Sequence, residues 1–200
     1  MNQLRHIAEE LKHHAPFTAL GACLGIAVMI VVQLGGVAQS TSHHAFHVLH
    51  PAHMLLSATV TAAMFRRHGG GAPAAIAVGL VGAVGICAIS DIVLPYIGGT
   101  LLGAKMTLHV CLVEHPWLVI VPGLVGTAIG SLSRCPTRCP HAAHVSISTL
   151  ASLFYLMAFG VADWILRFPL VFVLLFLAVW IPCCTSDIVF PILFTKVKRR

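Results

Sequence analysis

The sequence predicts an all-α membrane protein. Six transmembrane helices are expected, built as two inverted-topology three-helix repeats, residues 1–100 and 101–200, within one integral membrane domain. Three observations predict it. Apolar residues fill 58% of the 200 positions and charged residues 9%, against roughly 45–50% and roughly 25% in soluble domains. Mean hydropathy is +0.94. One short motif recurs near the end of each half, and the basic residues gather on one side of the expected membrane. So apolar a chain has no polar shell, which excludes a water-soluble enzyme. It is neither polar nor densely charged, which excludes disorder.

The spans are expected at about 15–38, 45–65, 72–99, 116–133, 142–162 and 168–195, each near the roughly 20 apolar residues that cross a bilayer. The second is the least regular. Pro51, at a favoured first helical position, leaves 15 residues before Arg66. That helix must therefore begin upstream among the histidines, or be short and sheltered. Pro122 interrupts the fourth. With the N-terminus inside, the cytoplasmic segments hold Arg5, Lys12, Arg66, Arg67, Arg134, Arg138, Lys196, Lys198, Arg199 and Arg200, and the outer loops hold only Lys105 and Arg167. This bias puts both termini inside and the chain in the cytoplasmic membrane. Residues 1–14 are polar and the first apolar run exceeds a signal-peptide core, so no cleavable signal is expected.

The third span ends in Cys87-Ala-Ile-Ser-Asp-Ile-Val-Leu-Pro95 and the sixth in Cys183-Cys-Thr-Ser-Asp-Ile-Val-Phe-Pro191, identical at six of nine positions. His50-Pro-Ala-His53 opens the second span, and His141-Ala-Ala-His144 opens the fifth. Three spans per half is an odd number, so the second half enters from the opposite side. Such inverted repeats are common among secondary transporters, whose sites form where the repeats meet. The expected result is one constellation given twice: His50, His53, Cys87 and Asp91 toward the outer face, and His141, His144, Cys183 and Asp187 toward the inner.

These residues suit metal chemistry. The chain has 13 His and 7 Cys but only 6 Asp plus Glu, so imidazole serves something other than solubility. An acid inside a membrane helix costs roughly 2.5–3.5 kcal/mol at its centre, and such acids usually face a cavity, an ion or a proton path. Cys87 and Cys183 lie four residues before Asp91 and Asp187, on the same helical face. Pro95 and Pro191 are expected to end or break each helix just beyond. The alternative reading of each motif is a helix-end acid with cysteine as a small packing residue. Imidazoles three apart on one face can bind a transition metal or relay protons. Nitrogen, oxygen and sulfur donors together suit zinc, cobalt, nickel, iron, manganese or cadmium better than magnesium or calcium.

The run from His43 through His47 to His53 is the densest cluster, and a His-rich outer loop there would act as a metal antenna. His43, His47 and His50 fall within about 60° on a helix. Cys135, Cys139 and His141 form a weaker inner cluster. His109, Cys111, Glu114 and His115 outside, and His6, Glu9, Glu10, His13 and His14 inside, are candidate second-tier contacts on segments expected to lie along the membrane surface, the alternative being a solvated interfacial helix. The pairs Gly21/Gly25 and Gly126/Gly130, and the series Gly79, Gly82 and Gly85, permit close helix packing. No nucleotide motif or nucleophile elbow is present.

The expectation is a secondary transporter, not an enzyme, with a divalent transition-metal ion as substrate. Protons would be its coupling partner, since metal binding displaces them from ligands. Membrane lipids surround it, nucleic acid has no part, and a homodimer is the expected assembly. The alternatives are a membrane haem or di-metal redox protein and an intramembrane thiol–disulfide carrier.

Overall fold

Within a bilayer a backbone amide finds no water, so a long apolar run must satisfy its own hydrogen bonds by coiling. The computed structural model describes residues 3–132 and 138–194, with backbone alone at 3–11, 13, 14, 138–142, 184, 187, 188 and 192. It is 84% helical. Helices α1 (Gln3–Leu34) and α2 (Gln39–Arg67) are followed by α3 (Ala72–Gly82), which continues through π-helical turns at Ala83–Cys87 and Ile89–Val93 into α4 (Leu94–Leu101). Strand β1 (Lys105–Met106) and the one-turn α5 (Cys111–Glu114) lead to α6 (Pro116–Leu132) and α7 (Arg138–Phe159). Strand β2 (Gly160–Val161) precedes α8 (Phe168–Cys184), a π-helical turn at Thr185–Val189 and α9 (Phe190–Leu193). The strands pair antiparallel, Lys105 opposite Val161, and tie the two connecting segments together.

Among the described residues, three helical stretches are long and apolar enough to cross a membrane: Ala15–Leu34, Gln39–Arg67 and Ala72–Leu101, of 20, 29 and 30 residues. Pro116–Leu132, Ala143–Phe159 and Phe168–Cys183 are apolar but shorter. The chain is thus a membrane protein by the length and composition of its helices. Its surface exposes Leu20, Val31, Val81, Ile97, Val125 and Val173, as a lipid-facing exterior should.

Helix α2 is the axis of the packing and touches α3, α6 and α7. Against α6 the approach is backbone to backbone: a Cβ on Gly126 or Gly130 would overlap the carbonyl oxygens of Leu55 and Thr59. Gly21 and Gly25 bring α1 against the Thr149 side chain of α7, a looser contact. Gly85 departs from the packing expectation, since a Cβ there would meet nothing. The core between α2, the π-helical segments and α7 contains Phe46, Met54, Ala58, Cys87, Ile92 and Tyr155.

Two local expectations are corrected. The His43–His53 run is not a loop: of the two expected alternatives the upstream start holds, and α2 begins at Gln39 and runs through Pro51. Nor does Pro95 end its helix, since α4 runs on to Leu101, whereas α9 ends at Leu193, two residues past Pro191. Proline cannot donate to the carbonyl four residues back and its ring crowds that group. The wider π-helical turns immediately before each proline ease this crowding, so the helix continues. Both copies of the Ser-Asp-Ile-Val motif take this π form.

Candidate metal centre

Starting α2 at Gln39 puts His53 fifteenth of its 29 residues, at mid-helix rather than at a mouth. The two halves consequently meet. His53 Nε2 lies 2.6 Å from His144 Nε2, 3.6 Å from Cys87 Sγ and 3.8 Å from Cys183 Sγ. One donor atom each from His53, Cys87 and His144 falls within 4.8 Å of the others. His53 and His144 are 0% exposed, and Cys87 and Cys183 2%. The sequence-matched pairs, His53 with His144 and Cys87 with Cys183, converge on one buried centre instead of standing at opposite faces.

Asp91 stands behind this centre. Its Oδ2 accepts from His50 Nδ1 at 2.8 Å and His53 Nδ1 at 2.6 Å. Its Oδ1 accepts from Ser90 Oγ at 2.8 Å and Ser148 Oγ at 3.1 Å. A carboxylate offers about four acceptor positions, and here all are used. Asp91 therefore orients the imidazoles, as a carboxylate behind a metal-binding histidine does. With its Nδ1 proton committed to Asp91, a neutral His53 presents a lone pair at Nε2, 2.6 Å from His144 Nε2. Sequence reasoning missed Ser148 and Ser152, one turn apart on α7, which donate to Asp91 and to the Ser90 carbonyl. Their spacing within an apolar helix was the available signal.

His141 and Asp187 lie outside the described side chains, as do His6, Glu9, Glu10, His13, His14 and Cys139; Cys135 lies outside the described residues altogether. The remaining predicted histidines divide. His50 is buried, stacked on Phe46 at 13°, and its Nε2 has no hydrogen-bond partner among the described residues. His47 instead joins His109 and His115 in a second group whose donor atoms lie within 4.8 Å of one another. His43 packs its ring on His47, centroids 4.3 Å apart, and is in no such group among the described residues.

The segment carrying His109 is not the surface helix expected. Only Cys111–Glu114 is helical, and His109 is buried because Tyr155 Oη accepts from its backbone amide at 3.1 Å and its ring stacks on Phe159 at 8°. Burial holds the His109 pKa below its ordinary value, with the Glu114 carboxylate opposing. Burial, aided by Glu114, raises the Cys111 thiol to about 11. Cys111 thus stays protonated at neutral pH and is a poor metal ligand.

The chain matches no known protein family, no curated protein and no solved structure.

Proposed function

We propose that the chain is a proton-coupled secondary transporter that carries a divalent transition-metal ion of zinc's class across the cytoplasmic membrane. The observation that carries this reading is the buried convergence of His53, Cys87 and His144, with Cys183 beside them. Two nitrogens and two sulfurs form a common zinc set. Zinc–nitrogen and zinc–sulfur bond lengths imply a nitrogen–sulfur edge of about 3.6 Å and a nitrogen–nitrogen edge of about 3.3 Å in a tetrahedral site. The sulfurs already stand 3.6 and 3.8 Å from His53 Nε2. The imidazoles, at 2.6 Å, would open slightly around an ion.

The site draws one histidine and one cysteine from each half, the arrangement expected where inverted repeats meet near the membrane midplane. In this reading the three shorter apolar helices complete six spans, and the positive-inside bias puts both termini in the cytoplasm. Entry of the ion drives protons from the thiols, because the thiolate is the ligand. This release couples metal movement to protons without a separate proton path.

The test is metal flux into proteoliposomes containing the full chain, read by a trapped metal-sensitive dye alongside a pH dye. Zinc entry should accompany proton movement in the opposite direction, and His53→Ala or His144→Ala should cut the flux about tenfold or more. Equal flux in wild type and both variants would overturn the proposal. The two thiols near one imidazole also favour a second reading, a thiol–disulfide carrier. That reading requires Cys87→Ser to abolish electron transfer across the bilayer while Asp91→Asn leaves it intact.

A further inference from the structure

The second histidine group lies outside the proposed transport centre. His47 is half-buried, His109 is 5% exposed and His115 is open to solvent. Hydrogen bonding assigns two of the three tautomers. His47 Nδ1 lies 2.8 Å from the His43 carbonyl oxygen, which can only accept, so Nδ1 carries the proton. His109 Nδ1 lies 2.9 Å from Glu114 Oε1, and a carboxylate again fixes the proton on Nδ1. In the neutral rings both Nε2 atoms are therefore lone-pair acceptors, yet they face each other at 3.1 Å. Two acceptors at that distance repel unless a proton or a metal ion is shared between them. The separation is close to the edge of about 3.3 Å expected between two nitrogens on one tetrahedral zinc ion.

We infer that His47, His109 and His115 form a second, peripheral metal site for a divalent transition-metal ion, with Glu114 and the His43 carbonyl as its positioning groups. His115, exposed, completes a three-histidine set and leaves the fourth position to water. Three nitrogens without thiolate select the same class of ion more weakly than the buried centre. The two sites are joined along α2. His47, His50 and His53 follow at intervals of three, each turned about 60° from the one before, and His47 and His53 are about 9 Å apart along the axis. Between them, His50 Nε2 is buried and unpartnered among the described residues. It is the ligand that would pass an ion from the peripheral site to the centre. The existence of the peripheral site does not depend on transport; its role as an antechamber does rest on that reading.

Cobalt(II) titration of the full chain in detergent separates the two sites. A three-histidine site gives ligand-field bands alone, whereas a site containing cysteine adds thiolate-to-cobalt charge transfer in the near ultraviolet. His115→Ala, which alters an exposed side chain, should bind one equivalent fewer than wild type and keep the charge-transfer band. Glu114→Gln should weaken that equivalent about 10–100-fold. Cys87→Ser should retain the peripheral equivalent and lose the charge transfer. If His115→Ala and His109→Gln both bind cobalt with wild-type stoichiometry, the peripheral site is overturned. If charge transfer never appears but His115→Ala still loses an equivalent, the peripheral site stands and the buried-centre reading fails.

Discussion

Asp91 shows how much one side chain arranges. It accepts from His50, His53, Ser90 and Ser148, so Asp91→Ala would strand several buried donors at about 1–3 kcal/mol each. The milder Asp91→Asn should leave the fold intact and lower zinc affinity about 10–100-fold, because His53 is no longer held in the ligating tautomer. Isothermal titration of the purified protein checks this; unchanged affinity would remove Asp91 from its positioning role. Cys111 makes the opposite prediction: protonated and fully buried, it should resist iodoacetamide at neutral pH until the chain unfolds, as mass spectrometry of the labelled peptide would show. His109 sets a pH dependence. Its folded pKa lies below the unfolded value of about 6.5. Between the two values the unfolded chain binds more protons, so stability rises with pH across that window and His109 contributes no slope above it. In chelator-treated protein, melting curves below about pH 6.5 should be less pH-dependent for His109→Gln than for wild type. Repetition in sequence singled out His53, Cys87, Asp91 and His144, and the structure brings these four side chains together. That Asp91 stands behind the imidazoles could not be read there, since it depends on α2, α7 and the π-helical segment meeting in space.

At the scale of elements, the repeated motif was visible as letters while its π-helical form was not. No local propensity marks a π turn, and only the clash imposed by Pro95 and Pro191 hinted at one. The same limit explains the His43–His53 run, where dense histidine suggested a loop although α2 passes through it, buried by α6 and α7. Glycine spacing was more informative. Gly126 and Gly130 lie against the α2 backbone, and Gly85 faces open space. Gly130→Val should therefore cost about 1–3 kcal/mol or more through overpacking, and Gly85→Ala should not destabilise. Thermal unfolding in detergent distinguishes them; equal melting temperatures would contradict the close α2–α6 approach.

For the whole molecule, composition alone established a helical membrane protein, because no soluble shell can be made from 9% charged residues. Depth was not legible: the two His-x-x-His pairs read as one near each face, whereas His53 and His144 meet in the interior. Under the proposed inverted repeat, a pseudo-two-fold axis would bring equivalent residues together in this way. The proposed inward location of both termini is open to site-directed labelling of single cysteines in sealed vesicles, and labelling of either tail from outside would refute it. The central claim, that the buried centre binds a transition metal through both halves, is tested most directly by zinc X-ray absorption on the full-length His115→Ala protein, where the peripheral site is removed. The account predicts a mixed nitrogen and sulfur shell at about 2.0–2.1 Å and about 2.3 Å, with the sulfur contribution reduced in Cys87→Ser. A shell of nitrogen and oxygen alone, or no bound zinc, would contradict it.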